Sequence, residues 1–318
     1  MNSKPFLNGT QLNQSCLPSY LNGISLETAH GFSLVFCILQ ALFAAPAVVL
    51  NVIVMAGIIR TSSLHRPSYL MLGNLAVSDV GVGLLVMPFT ALLEGAVSSG
   101  WESALCKLAY TRDLIGMFFV GSSFFNVALV SVDRLLALEF HLRYNALVTS
   151  KSASVALALT WVTAGLLTVS KIWSHKLFLQ IQMILGPVIL LMSTASNIRI
   201  YYIVRRHQRQ IHRQVRSLTS SVANMSPRPN HVTYTCWIFG AFLICYFPYI
   251  AHILSRLLGF VDDILVFRFY TISLFLANTN SVGNPLLYCW RMRNVRRAMM
   301  NQLPVTWQKI MGGSNAIG

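Results

Sequence analysis

Seven stretches of this sequence are apolar enough and long enough to cross a lipid bilayer, and that number decides most of what the chain can become. They run roughly over 32–59, 68–93, 105–138, 152–173, 177–204, 231–257 and 264–290. A bilayer core offers no water to backbone N–H and C=O groups, so each crossing segment satisfies them internally as a helix. Composition agrees. Hydrophobic residues make up 55% of the chain and charged ones only 10%, whereas a soluble domain is about a quarter charged. The expected fold is all-α: a seven-transmembrane helix bundle with a short amphipathic membrane-surface helix after the last span. Three regions follow. Residues 1–31 form an extracellular tail, 32–290 the transmembrane domain, and 291–318 the amphipathic helix and a short cytoplasmic tail.

Orientation follows from charge. The formal net charge is +15, but its placement gives it meaning. Most of the Lys and Arg residues fall on one side of the spans: Arg60, Arg66, Arg134, Arg143, Lys151, the set from Arg199 to Arg228, Arg291 to Arg297, and Lys309. The positive-inside rule puts that side in the cytosol and the N-terminus outside. Glu27, Glu94, Glu102, Asp113, Asp262 and Asp263 lie at or near the outer face. The basic residues belong to a cytoplasmic face that meets anionic lipid headgroups, and nucleic acid is not an expected partner. No charged, then apolar, leader opens the chain, so the first span is expected to act as its own insertion signal. The tail carries two N-glycosylation acceptors, Asn8-Gly9-Thr10 and Asn13-Gln14-Ser15.

Polar residues inside the spans carry the chemistry, because each is costly there unless it faces a neighbour. The seventh segment reads Asn280-Ser281-Val282-Gly283-Asn284-Pro285-Leu286-Leu287-Tyr288, with Asn278 just before it. The second segment holds Asp79, and the first holds Asn51. A carboxylate at that depth is paired, protonated or beside a cation. Asp133-Arg134-Leu135 closes the third segment at its cytoplasmic end, where an acid can hold the arginine beside it. The same pair also reads as an ordinary snorkelling pair. The fifth segment runs on into Arg199, Arg205, Arg206, Arg209, Arg213 and Arg216 at helical spacing. Pro248 in the sixth is a natural hinge. No cluster of metal-binding His and no nucleophile–His–acid set is recognisable, so an enzyme is not expected.

Taken in order, these residues resemble the rhodopsin-like (class A) G-protein-coupled receptors over nearly the whole chain. The likeness is carried by Asn51; Leu75-Ala76 with Asp79; Asp133-Arg134-Leu135 in place of Asp-Arg-Tyr; Trp161; Phe242, Cys245 and Pro248; and Asn284-Pro285-Leu286-Leu287-Tyr288. His141-Leu142-Arg143-Tyr144 and a short connection between the fourth and fifth spans are most similar to the adenosine, melanocortin and cannabinoid branch. The resemblance implies an extracellular small-molecule or peptide ligand, a plasma-membrane location, and a heterotrimeric G protein as cytoplasmic partner. Outward movement of the sixth helix would admit that partner. Asp133, Arg134, Tyr288, Arg205 and Arg206 would serve coupling, and Phe242, Tyr246, Pro248, Asn284 and Pro285 the activation switch. It further implies an allosteric sodium ion at Asp79, with Ser123, Asn280, Ser281, Asn284 and Asn51 around it, and no other cofactor. A water-filled network around a protonated Asp79 is the alternative.

The sequence departs from the family in several places. Tyr246 replaces the usual tryptophan, Ile189 the usual proline of the fifth helix, and Asn197 its usual tyrosine. No acid faces Arg134 from the start of the sixth helix, where Arg228 lies, so basal activity is expected. The family's disulfide partner is missing between the fourth and fifth spans, which leaves Cys16 as the extracellular candidate for Cys106, against two free thiols. Counted from Arg134, the amine-binding aspartate's place is Gly116, and Asp113 sits about one turn higher, where a salt bridge to Arg112 or another rim charge competes with a ligand role. The expected pocket is Asp113, Gly116, Val120, Tyr246, Tyr249, Ile253 and Asn278. The seventh span has no lysine for retinal, and a peptide, amine, nucleoside or lipid ligand stays open, with Glu94, Glu102 and Asp113 as rim acids for a basic peptide. Two other readings remain: a decoy receptor that does not couple, and a seven-helix cation transporter or channel.

Overall fold

The computed structural model describes residues 26–140, 143–218, 234–258 and 263–302, without the side chains of 26, 145, 175, 211–218, 234–235, 249–250, 252–258 and 263. The described residues form helices and turns, with no strand among them. Seven long helices appear in the expected order. They are α1 (Leu26–Arg60), α2 (Pro67–Ser99), α3 (Glu102–Glu139), α4 (Ser150–Trp173), α5 (His175–Leu218), α6 (Tyr234–Leu258) and α7 (Asp263–Arg291). A short helix, α8 (Arg293–Met300), follows. Among the described residues, α1 to α5 each contain a stretch long and apolar enough to cross a membrane. In α6 the apolar stretch described is shorter, Cys236–Pro248. In α7 the buried Asn278, Asn280, Ser281 and Asn284 lower the hydropathy of a helix long enough to span.

Helix ends explain the boundaries. Pro67 opens α2 at its first position, where a missing N–H costs nothing. Gly100 closes α2 with φ 70° in the left-handed region. The Thr149 and Ser152 side chains cap α4 reciprocally. α1 begins at Leu26 rather than near 32, and α5 continues past the expected 204 as a basic extension. The expected loop over 171–176 shrinks to Ser174, which accepts nothing from a loop of its own: its N–H donates to Ser170 O, its carbonyl accepts from Phe178 N–H, and its hydroxyl accepts from Leu177 N–H at 3.4 Å.

The helices close into a bundle with α3 central, touching α2, α4, α5 and α6, while α1 packs on α2 and α7. α8 lies back against α1 on its buried Val295, Ala298 and Met299. A Cβ on Gly57 would fall 3.1 Å from the Ala298 backbone, so glycine lets α8 come this close without a shift of a few tenths of an ångström. The inner half has the largest apolar core: Val54, Leu72, Leu75, Val127, Ile238, Phe239, Phe242 and Tyr288 bring α1, α2, α3, α6 and α7 together. A second core, around Ala29, Leu93, Val97, Leu105 and Phe267, fills the outer ends of α1, α2, α3 and α7.

Candidate functional site

Three polar layers stack along the bundle. The middle one is built on Asp79, which is fully buried on α2. Ser281 Oγ donates to its Oδ1 at 2.9 Å, Ser123 Oγ to the same oxygen at 3.3 Å, and Asn284 Nδ2 to Oδ2 at 2.7 Å. The α7 backbone is tied in from the other side: Asn51 Nδ2 donates to Ser281 O and to Ala47 O, both at 2.8 Å. Asn280 is buried next to this set but makes no hydrogen bond to Asp79. The Oδ1 atoms of Asn51 and Asn284 are buried and accept no hydrogen bond. Two spare amide oxygens beside a buried carboxylate are the donor set that a small hard cation takes. A parallel network links α2, α3 and α4: Trp161 Nε1 donates to Asn74 Oδ1 at 2.9 Å, and Asn74 Nδ2 to Asn126 Oδ1 at 2.7 Å.

The inner layer is the Asp133–Arg134 pair. The Asp133 carboxylate accepts from the neighbouring Arg134 guanidinium, from Ser68 Oγ at 3.2 Å and from Tyr144 OH at 2.6 Å. Burial, with the bond to Asp133, pushes the Tyr144 hydroxyl up to about 12, so it stays a donor at any physiological pH. Tyr144 lies on the short helical turn Tyr144–Leu147 after α3, so the connection clamps the acid from below. Asn197, in the place of the family's usual tyrosine, donates to Ser131 Oγ and to Ser193 O, both at 2.9 Å. Arg205 and Arg206 are exposed on the α5 extension, and Arg205 also donates to Tyr201 OH at 2.9 Å.

Helix α6 is packed shut against this layer. Phe242 stacks on Tyr246 with centroids 4.1 Å apart, and both rings meet Phe124 of α3. Tyr288 is buried in the same cluster. At the membrane edge, the Arg291 guanidinium sits 4.7 Å from the Trp237 ring of α6 and 4.2 Å from that of Trp290. This clamp was not foreseen, because neither Trp nor Arg at a helix end stands out in an apolar sequence. It joins α6 to α7, and the cytoplasmic end of α6 has no acid to offer Arg134. Pro248 and Pro285 both lie inside their helices.

The outer layer differs from its expectation. Asp113 is held from two sides, by Arg112 Nη1 at 3.0 Å and by Lys171 Nζ at 2.7 Å, which is brought over by the near-absent connection at Ser174. Arg112 reaches on to Tyr270 OH at 2.8 Å. Glu94, read from sequence as a rim acid, is buried at 4% exposure. The correction has a physical reason: α1 and α2 extend past it to Leu26 and Ser99, and the outer apolar core surrounds it. Gly116 leaves room at mid-α3, with Val86 Cγ1 no nearer than 3.8 Å to a Cβ placed there. Val120 packs against Val82, Val86 and Met87 of α2. Asn278 turns toward α1 and donates to Gln40 Oε1 at 3.3 Å. The structure therefore separates Asp113, facing α4, from Asn278, facing α1. The side chains of Tyr249 and Ile253, and all of Cys16, Asn8, Asn13 and Arg228, lie outside the described residues. Cys106 is disulfide-bonded, while Cys37, Cys236, Cys245 and Cys289 are free. Among the described residues no group of three or more His, Cys, Asp or Glu could hold a metal ion.

Comparison with known proteins gives one family. The profile described as "7 transmembrane receptor (rhodopsin family)" matches residues 50–177 and 169–288. The chain is 28% identical over 272 residues to the histamine H2 receptor of Canis lupus familiaris, covering 78% of this chain and 73% of that one. It is 28% identical over 345 aligned positions to the trace amine-associated receptor 7e of Rattus norvegicus, covering 96% of this chain and 89% of that one. The human histamine H2 receptor is 27% identical over 271 residues, with 77% and 73% covered. These relatives are named for amines rather than for the adenosine, melanocortin or cannabinoid ligands of the branch suggested by the loop after α3.

Proposed function

Because the chain belongs to the rhodopsin-like seven-transmembrane receptors, a family of membrane receptors and not of enzymes, we propose that it acts at the plasma membrane and passes an extracellular signal to a heterotrimeric G protein through outward movement of α6. The observation that carries this reading is the inner layer. Asp133 is bound by three side chains from α2, α3 and the following turn, and it holds Arg134 at the mouth of the bundle where a partner can reach it. The wall that would open is α6, whose Ile238, Phe239 and Phe242 are buried against Tyr288. A ligand works only through its preference for the open arrangement, so these contacts set how much preference is required.

The Asp79 layer supports a sodium site on the same reading. Asp79 would supply the charge, Ser123 and Ser281 their hydroxyls, and Asn51 and Asn284 their unpartnered amide oxygens. A bound cation offsets the cost of a buried carboxylate and ties α2, α3 and α7 in their present closed arrangement. The donor from α7 in this set is Ser281 together with Asn284; Asn280 makes no bond to the carboxylate.

The relatives' names favour an amine ligand, but the usual aspartate place is Gly116, and Asp113 already has two cations. One observation favours the decoy reading: Asn197 is committed to Ser131 and Ser193, so α5 offers Arg134 no tyrosine hydroxyl in its place. Nucleotide exchange on a panel of G proteins, with the receptor alone and with Arg134→Ala, separates the two. Exchange above the receptor-free level that disappears in Arg134→Ala supports coupling. No exchange on any G protein, with or without amines present, supports the decoy.

A further inference from the structure

The cytoplasmic edge of α6 and α7 carries a cation for which the chain has no counter-charge. Arg291 ends α7, and its guanidinium sits 4.2 Å from the Trp290 ring and 4.7 Å from the Trp237 ring of α6. The two indoles meet edge to face at 5.6 Å. Arg291 makes no hydrogen bond and no ion pair among the described residues, and its Nε is buried without an acceptor. No side-chain carboxylate is left for it. The sequence has nine acidic residues, and only Asp133 and Glu139 stand at the cytoplasmic ends of the helices. Asp133 is taken by Arg134, Ser68 and Tyr144, and Glu139 by Arg199. The rest of this edge is cationic as well, with Arg293, Arg296 and Arg297 on α8. A guanidinium at the rim of a bilayer, with a buried donor unpaired, is costly unless an anion joins it.

We infer that Arg291, with Trp237 and Trp290 on either side, is a binding site for the phosphate of an anionic phospholipid in the inner leaflet. A guanidinium presents parallel N–H donors that fit two oxygens of one phosphate. Trp237 and Trp290 remain 47% and 59% exposed, and indole rings settle at headgroup level, where one side is apolar and the other wet. The acyl chains have a path. Ile244 lies two turns further into the membrane on the Trp237 face of α6, and Leu286 one turn further on the Trp290 face of α7, both exposed. The bilayer supplies an anion at this depth, and the basic residues around it raise its local concentration. The site joins two helices, so a lipid held there adds to the contact between α6 and α7 in the closed bundle. That consequence for signalling rests on the proposed outward movement of α6; the binding site does not.

The test uses the full-length receptor and reads bound lipid by native mass spectrometry, with thermal melting in nanodiscs as a second readout. Phosphatidylglycerol is the probe, and phosphatidylcholine, whose choline neutralises its phosphate, is the reference. The wild type retains phosphatidylglycerol in preference to phosphatidylcholine and melts higher in nanodiscs that contain it. Arg291→Gln lowers the affinity for phosphatidylglycerol about tenfold or more and removes the melting difference between the two lipids. Arg291→Lys keeps the charge but loses the paired donors, and lowers the affinity about threefold to tenfold. Arg293→Gln and Arg297→Gln remove exposed cations from the same edge and change it by less than about twofold. Equal losses in all three glutamine variants would mean that the lipid answers only to the total charge of the face, and would overturn the site. Wild-type affinity in Arg291→Gln overturns it outright. Glycerophosphoglycerol, the same headgroup without acyl chains, leaves the bound lipid in place; displacement at equal concentration would make this a site for a soluble phosphate and overturn the lipid assignment. Arg291→Lys keeps the result interpretable if Arg291→Gln folds poorly, and coupling is judged separately by the Arg134→Ala exchange assay.

Discussion

Asp79 and Glu94 are two buried carboxylates on one helix, four turns apart, and they live under opposite conditions. Asp79 accepts three hydrogen bonds from α3 and α7 at 2.7–3.3 Å. Glu94 accepts no hydrogen bond of comparable geometry, and only the hydroxyls of Ser33 and Thr271 stand close enough to act on it. Both are buried, at 0% and 4% exposure, so burial does not distinguish them. The difference lies in preorganisation. In the middle layer the carboxylate is satisfied by the protein's own donors, which makes it a structural joint between α2, α3 and α7. The outer layer holds its acid by looser contacts with Ser33 and Thr271 and is the less preorganised of the two.

The largest expected effect tests that contrast on stability. Asp79→Ala removes one acceptor set and leaves the Ser123, Ser281 and Asn284 donors buried without partners, which costs about 3 kcal/mol or more. Glu94→Gln exchanges a loosely held buried charge for a neutral amide of the same shape and costs well under the Asp79→Ala loss. Thermal melting of the two variants at equal lipid and salt reads the difference. Equal losses would mean that Glu94 is satisfied in the membrane and that the two layers are alike.

Between the two acids, α2 changes character. Its α-helix stops at Gly81, passes through the π-helical Val82–Val86 and resumes at Met87. The wider turn sets the rotation of Glu94 relative to Asp79, and small residues allow the packing around it. A Cβ on Gly81 would lie 2.1 Å from the Phe119 ring, which itself packs on Phe118 and Trp161. Gly81→Ala therefore forces that aromatic group to move, at about 1–3 kcal/mol. A fully stable Gly81→Ala receptor would show that α2 accommodates the change without altering either layer.

Sequence showed the middle layer and hid the outer one for a reason these residues make plain. Asp79, Asn51, Ser281 and Asn284 stand out because each interrupts an apolar run, and polar groups at that depth have to meet. Hydropathy likewise gave seven helices in order, since bilayer thickness imposes a length that short-range signals reveal. Glu94 falls near the end of its run, where an acid normally meets water, and its burial depends on how far α1, α2 and α7 rise together. That is a property of the assembled bundle. The Lys171–Asp113 bridge was hidden similarly, because it needs α4 and α5 to be joined through Ser174 alone. The π-helical turn has no composition signature, and the Arg291 clamp needs Trp237 and Arg291 from separate helices.

That clamp lets the comparison extend to function. If the inner layer is held shut partly by Arg291 between Trp237 and Trp290, Trp237→Ala removes a contact of about 0.5–2 kcal/mol between α6 and α7. Basal nucleotide exchange then rises about twofold to thirtyfold, because the loss falls on the closed arrangement. Unchanged basal exchange, measured at equal surface expression, would remove the clamp from the mechanism and leave the Phe242–Tyr246 stack as the restraint on α6.

The smallest effect separates the layers at the level of single hydroxyls. Ser131 is the satisfied kind: it accepts from Asn197 Nδ2 at 2.9 Å and donates to Val127 O at 2.9 Å. Ser131→Ala costs about 0.5–1.5 kcal/mol, and no more, because Asn197 keeps its second bond to Ser193 O. Thr271 is the unsatisfied kind, so Thr271→Val replaces a buried hydroxyl without a partner by a methyl of nearly the same shape and leaves apo stability level or slightly raised. The sign of the difference between these two variants is the sharpest reading available, since neither changes charge or much volume. A Thr271→Val receptor that melts as early as Ser131→Ala would mean the outer hydroxyls are already bonded in the apo protein, and the outer layer would then be one more joint in the bundle.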